Sequence, residues 1–399
     1  MELDSRQTIV IAVLVLFLGK YLNKRIGFFR KYNIPEPVTG GIVASLFFGL
    51  LYLLFSVDIT FSNRYRDILL IVFFTAIGLS TELASIRKGG KVLLILTVFA
   101  IAFIFAQNYM GMAFAKMFGL HPAIGVLSGS TALQGGHGNI VSWAPVINAQ
   151  FNISNTMEIG MIMATFGLII GGILGGPVAK YLINKYNLKP EDETVDAKVT
   201  IGAKHGQTLS IDYNSALSIL LMIALSIGLG LYMSYFLDYI SFTLPLFATC
   251  MLGGLILANV APLISSKLKL PPNSPTLAIT SELSLGLFLA MAMMSLKFWE
   301  IGAESLFIIL NILVQTIAIL LFTIFVIFKV LGKNYASAVI SAGYIGSSMG
   351  ATPTAMANMA AVTKEYGPSQ IAFAVIPIMG AFIIQVSNAF VINFILMWV

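Results

Sequence analysis

The stretch Gln134-Gly135-Gly136-His137-Gly138-Asn139 decides how this chain is read. It lies inside the run from Met117 to Met157, which contains no Asp, Glu, Lys or Arg. A run of that kind suits a bilayer, yet it is too rich in Gly and polar amides for a plain spanning helix. Gly has no side chain and tolerates left-handed backbone angles, so the cluster Gly135, Gly136 and Gly138 interrupts a helix. Broken backbone at membrane depth is tolerated only when it is buried in protein or lines a wet cavity. The stretch therefore reads as the tip of a re-entrant segment that presents bare N–H and C=O groups to a solute. A second uncharged, Gly-rich stretch runs from Gly343 to Thr354.

Composition sets the class. Of 399 residues, 58% are hydrophobic and 10% charged, with a mean hydropathy of +0.92. An ordinary soluble domain is about 25% charged. Uncharged runs such as Pro37–Val57, Val92–Ala115, Ile159–Ala179, Tyr213–Leu237 and Ser305–Phe328 have the length of spanning helices, for which about 20 apolar residues suffice. These features predict an all-α integral membrane protein. Glu2 and Asp4 precede the first apolar run and no small-residue cleavage site follows it, which argues against a cleaved signal peptide. A single cysteine, Cys250, excludes an intrachain disulfide and a thiolate metal cluster. The net charge of +6 fits loop Lys and Arg and gives no reason to expect nucleic acid.

The predicted order is five spans per half with a dip between the fourth and fifth. Spans over 7–24, 37–56, 67–87 and 91–117 lead to a dip at 120–150 and a fifth span at 156–185. The second half has spans over 213–237, 244–265, 276–299 and 304–330, a dip at 335–362 and a last span at 369–397. Residues 186–212 form the one long polar stretch and read as a cytoplasmic linker between an N-terminal repeat, 1–185, and a C-terminal repeat, 213–399. This arrangement puts both termini outside. It leaves Arg6, Arg64, Arg66, Lys116 and Lys297 outside and 18 of the 23 Lys and Arg inside, as basic residues prefer. If each dip crossed fully, the linker and its Lys residues would move outside.

The halves also match each other. Asp67 and Glu82 bracket an uncharged run, as do Glu282 and Lys297, at an offset of 215. At an offset of 213, Gly119 pairs with Gly332, Ser128 with Ser341 and Gly167 with Gly380. An odd number of spans per half makes such repeats inverted. Inverted repeats with broken helices at the midplane are the layout of secondary transporters.

The two tips carry the expected chemistry. Each break leaves unpaired N–H groups at a half-helix start and unpaired C=O groups at a half-helix end. The starts attract anions, and the carbonyls, with hydroxyls, suit a hard cation such as Na⁺. Neither tip contains Arg or Lys. The candidate solute-binding residues are Ser130, Thr131, Gln134, Gly135, Gly136, His137, Gly138 and Asn139 in the first tip. In the second they are Gly346, Ser347, Ser348, Gly350, Thr352 and Thr354. Candidate Na⁺ ligands are Ser80, Thr81, Ser295, Asn139 and Thr352. For Ser80, Thr81 and Ser295 the competing reading is a hydroxyl bonded back into its own helix. Gln107, Asn108, Asn311 and Gln315 read as hydrogen-bonding partners between helices. Asn358, Gln385, Asn388 and Asn393 read either as such partners or as functional polar groups at membrane depth. No Ser/His/Asp set, His-Glu-x-x-His or Walker loop is found, so neither an enzyme nor an ATP-driven pump is expected.

The sequence resembles the bacterial sodium/glutamate symporters over nearly its whole length. The resemblance is carried by Ile34-Pro35-Glu36-Pro37-Val38-Thr39-Gly40-Gly41, Gly135-Gly136-His137-Gly138, Ala164-Thr165-Phe166-Gly167-Leu168, Gly175-Gly176-Pro177-Val178-Ala179, Leu287-Phe288-Leu289-Ala290-Met291-Ala292 and Gly350-Ala351-Thr352-Pro353-Thr354-Ala355. It implies two five-helix domains with pore loops, an inner-membrane location, a homodimer and elevator-type movement. Its implied activity is Na⁺-coupled uptake of glutamate, with Na⁺ as coupling ion and no other cofactor. Ile140 and Ser348 stand where the family's loop pattern has Gly. The residues leave open a Na⁺- or H⁺-coupled carrier of another small organic anion, such as aspartate or a di- or tricarboxylate, and also a channel.

Overall fold

The structure, a computed structural model, describes residues 2–31, 34–81, 90–190, 213–239, 244–264, 274–297 and 304–399. The predicted linker therefore lies outside the described residues from 191 onward, as does Glu82. Helices dominate: α1 (Ser5–Arg25), α2 (Gly27–Lys31), α3 (Glu36–Phe55), α4 (Arg64–Leu79), α5 (Gly90–Met117), α6 (Pro122–Val126), α7 (Gly136–Phe151) and α8 (Thr156–Tyr186). The chain continues with α9 (Tyr213–Tyr239), α10 (Leu246–Ile264), α11 (Pro275–Met294), α12 (Ser305–Val330), α13 (Tyr335–Ser348), α14 (Thr352–Tyr366) and α15 (Gln370–Leu396). Two short strands, Glu2–Leu3 and Thr60–Phe61, pair in parallel, a contact between distant segments that has no local sequence signal.

Local chemistry explains the helix starts. Asp4 caps α1 by accepting from the N–H groups of Arg6 and Gln7 at 2.8 Å each, and Gln7 Oε1 accepts the Asp4 N–H at 3.0 Å. This is a capping box. Pro occupies the first turn of α3, α6, α11 and α14, where its missing N–H costs nothing. Among the described residues, nine helices are long and apolar enough to cross a membrane, so the chain is an all-α membrane protein. The apolar side chains left exposed, among them Leu14, Phe17, Leu53, Phe55 and Leu94, suit a lipid surround.

Two predicted spans are shorter than expected. The third is predicted to reach residue 87; α4 ends at Leu79 after 16 residues, with Ser80 in a turn, and 82–87 lie outside the described residues. The hydroxyls of Ser80 and Thr81 both donate to the Ile77 carbonyl, at 2.8 and 2.9 Å. The eighth was read to 299 but α11 ends at Met294, where the Ser295 hydroxyl donates to Met291 O at 2.7 Å.

Contacts divide the chain into two compact units, each drawing on both halves of the sequence. Unit 1 comprises Met1–Leu83, His137–Ile162 and Ile211–Leu306. Here α4 and α11 run antiparallel: Leu79 shares a buried cluster with Leu277, while Tyr65 and Leu69 pack with Met291 and Met294. Helix backbones touch where glycines permit it. A Cβ at Gly40 would fall on the Val15 carbonyl, and one at Gly78 on the Met251 carbonyl. Small residues at such crossings are the usual solution in membranes. Gly40→Leu should destabilise the purified protein by about 1–3 kcal/mol or more. Thermal unfolding in detergent should show a lower midpoint, whereas Gly176→Leu, where a Cβ would meet open space, should unfold with the parent. Equal midpoints for both would remove the backbone contact from the account.

Unit 2 comprises Ala84–Gly136, Met163–Ser210 and Phe307–Val399. Its α5 and α6 cross backbone to backbone at Gly111 and Gly125. Phe103 of α5 stacks on Phe322 of α12 with ring centroids 4.7 Å apart. Nearly all of α13 is buried, including the Tyr344 ring.

Candidate functional site

Within unit 2 the chain is broken twice, at the two stretches singled out from sequence. The second break is the simpler. Helix α13 ends at Ser348, Met349 and Gly350 leave helical geometry, and α14 begins at Thr352 with Pro353 in its first turn. In the first stretch α6 runs into a π-type segment, Leu127–Thr131, kinked at Gly129 with φ −89° and ψ −126°. Such bulges cluster at functional sites. Gln134 and Gly135 form a turn on the Ser130 carbonyl, at 3.0 Å each, and α7 starts at Gly136 with φ +66°.

The two breaks meet. A Cβ at Gly136 would stand 3.3 Å from the Gly350 carbonyl. Gly serves there both for its left-handed angle and for close approach. A Cβ at Gly167 of α8 would lie 2.6 Å from Met349 O and 2.7 Å from Leu133 Cδ2. A second π-type segment, Met379–Ile383 in α15, brings Gly380 against Thr352 and Ser347. Gly136 and Thr352 are therefore two half-helix starts, whose first N–H groups find no partner within their own helices.

Buried amides hold this geometry. Gln107 of α5 accepts from Gln134 Nε2 at 2.7 Å and donates to the Ser348 carbonyl at 3.3 Å, linking one break to the other. Gln315 of α12 donates to the Gln107 carbonyl at 2.9 Å. Ser130 is clamped from two sides. Its N–H and hydroxyl donate to Asn108 Oδ1 at 3.1 and 3.0 Å. Its hydroxyl also lies 2.6 Å from Asn388 Oδ1, while Asn388 Nδ2 donates to its carbonyl at 3.0 Å. Asn311 reaches Ser128 Oγ at 3.0 Å. From sequence, Gln107, Asn108, Asn311 and Gln315 read as pairing between helices, and Asn388 either so or as a functional polar group. Their specific attachment to the breaks had no sequence signal beyond a polar group in an apolar span. Asn358, bonded to Gly171 O at 2.9 Å, links helices, one of the two readings open from sequence.

The other candidates divide as follows. Thr131 donates back to Val126 O at 2.9 Å and Ser347 to Tyr344 O at 3.1 Å, so both hydroxyls serve their own segments. A Cβ at Gly346 would collide with the backbone of Ala355, which packs α13 on α14. Thr354 Oγ1 is buried without a hydrogen-bond partner. His137, Gly138 and Asn139 belong to unit 1. There Gly138 lies beside Phe74 and Phe288, and His137 is buried. Asn139 is 1% exposed and neither polar atom of its side chain has a partner. Buried amides are ordinarily satisfied, and this one is not.

Of the candidate Na⁺ ligands, Ser80 and Thr81 do not gather with Ser295. Ser80 and Thr81 stand at one end of α4, and Ser295 stands at the other end of the antiparallel pair, beside Arg66. Nearly the whole length of α4 separates them. All three hydroxyls donate into their own helices. Asn139 lies in unit 1 and Thr352 in unit 2.

Unit 1 also holds a cleft of about 410 Å³ that sequence reading did not isolate. Arg66, Glu158 and Lys297 line it, together with Asn63, Asn148 and Ser295. From sequence, Arg66 and Lys297 mark only topology and the repeat.

An all-α membrane protein whose chain breaks twice among buried amides has the build of a secondary transporter. The comparisons give the family. The family model described as sodium/glutamate symporter matches residues 1–368. The chain is 38% identical over 397 residues to the sodium/glutamate symporter of Escherichia coli (strain K12), spanning 99% of this chain and 98% of that protein. It is 36% identical over 388 residues to the sodium/glutamate symporter of Haemophilus influenzae (strain ATCC 51907 / DSM 11121 / KW20 / Rd), spanning 97% and 95%. The chain belongs to the sodium/glutamate symporter family, a family of transporters and not of enzymes.

Proposed function

We propose that the protein carries glutamate into the cell with Na⁺ as the coupling ion, by alternating access around the paired breaks. The observation that carries this reading is the meeting of Gly136 with Gly350 in a setting of buried amides. Two helix starts, with the positive ends of their dipoles, favour a carboxylate. Neighbouring carbonyls and the Thr352 and Thr354 hydroxyls supply oxygens for a hard cation. The family's printed name supports the solute and the ion.

The same reading takes 1–185 and 213–399 as inverted repeats, each with a re-entrant loop. Support comes from the antiparallel course of α4 and α11, which are matched at an offset of 215 in sequence, and from compact units that mix both halves. It further takes the protein as a homodimer in the bacterial inner membrane, termini outside, the 186–212 linker cytoplasmic and the transport movement of elevator type.

Uptake into proteoliposomes tests it. Labelled glutamate should accumulate above the external concentration with an inward Na⁺ gradient and should not when K⁺ replaces Na⁺. Accumulation driven by a proton gradient alone, or flux that never rises above equilibrium, would overturn the coupling.

A further inference from the structure

We propose that the cleft in unit 1 is a capture site for an acidic amino acid, separate from the paired breaks. Its ionisable lining is Arg66, Lys297 and Glu158. Two cations and one anion mirror the two carboxylates and one ammonium of such a solute. Arg66 is 7% exposed. Its Nε donates to Asp67 Oδ1 at 2.9 Å. Its Nη2 donates to the same oxygen at 2.8 Å. These bonds fix the guanidinium and use only part of its set of N–H donors. The rest of that planar fork is available to bind a carboxylate. Lys297 Nζ lies 3.0 Å from Asp58 Oδ2, and its backbone N–H donates to Glu158 Oε1 at 3.4 Å.

Asp58 and Asp67 are about half exposed and do not line the cleft. Solvent therefore weakens their competition with a solute's carboxylates. Asn63, Asn148 and Ser295 add neutral donors and acceptors. The volume of about 410 Å³ is within the usual range for small-ligand sites. Helix α7 lines the cleft at Asn148 and carries Asn139 nearer its start. One helix thus joins the cleft to an unpartnered buried amide.

In the proposed orientation the cleft faces outside, where it would concentrate the solute before transport. This inference rests on the proposed uptake of glutamate, and the test separates the two. Initial uptake rates are measured in proteoliposomes at fixed Na⁺, with ionic strength varied by choline chloride. Arg66→Gln should raise KM for glutamate about 10-fold, the scale of electrostatic capture, with Vmax within about twofold. Lys297→Gln should act in the same direction, and Arg66→Lys should recover part of the loss. The parent's KM should rise with salt more steeply than that of Arg66→Gln.

Unchanged KM in both neutral variants overturns the capture site while leaving parent transport intact. A fall in Vmax with KM unmoved marks a structural role and overturns it too. If Arg66→Gln does not reach the membrane, Lys297→Gln and Glu158→Gln decide on the same readout. A parent that takes up no glutamate fails the proposed function, and the capture site falls with it.

Discussion

Gly136→Val and Gly350→Val should each lower Na⁺-driven glutamate uptake about 100-fold or more, while the protein is made and purifies as well as the parent. The argument differs at the two positions. Gly136 sits at φ +66°, where a β-branched residue is strained. Its Cβ would stand 3.3 Å from the Gly350 carbonyl, and Val methyl groups would close on it further. Gly350 is blocked by packing: a Cβ there meets Gly346 O at 3.0 Å, Leu168 Cα at 3.2 Å and Thr354 Oγ1 at 3.4 Å. About 3 kcal/mol of misfit in the loaded state corresponds to a rate loss of about 100-fold. Gly176→Val is the control, because nothing approaches its Cβ position within 4 Å. Near-normal uptake in both tip variants would remove the breaks from the transport path.

Helix positions were largely legible from the sequence because charges and caps punctuate the apolar runs. Pro37, Pro275 and Pro353 each stand in the first turn of a helix, and Gly90 and Met117 bound α5 close to the predicted 91–117. The misses have a common cause. Apolar composition would carry α4 to 87 and α11 to 299 and does not register the turns at Ser80 and Ser295 where the two helices end. The breaks were visible as Gly clusters in uncharged runs. The partners that hold them were not, since helical periodicity tells which face an amide occupies and not what it meets. Gln107 contacts Ser348 and Ser130 contacts Asn388 across separations of 241 and 258 residues. The same distance problem hid the cleft, because Arg66, Glu158 and Lys297 are brought together only by the fold.

That dependence on long-range contacts makes Gln107 the position where the second large effect is expected. Gln107→Leu keeps the volume and removes both side-chain hydrogen bonds, to Gln134 at 2.7 Å and to the Ser348 carbonyl at 3.3 Å. Both former partners are buried, so each lost bond orphans a polar group at about 1–3 kcal/mol by soluble-protein measure. Membrane values are smaller, about 0.6–2 kcal/mol, which places the joint loss at about 1–4 kcal/mol. Gln134 Oε1 already lacks a partner, so that side chain has no second anchor to fall back on. Uptake should drop about 30-fold. Gln107→Glu, which keeps an acceptor for Gln134 and loses the donor to Ser348, should fall between parent and Leu. The decisive measurement is a double-mutant cycle. If Gln107 acts by joining the breaks, adding Gln134→Leu to Gln107→Leu should cost little more, because the shared bond is already gone. Independent, additive losses would mean that each amide serves its own helix, and that the two breaks are not coupled through α5.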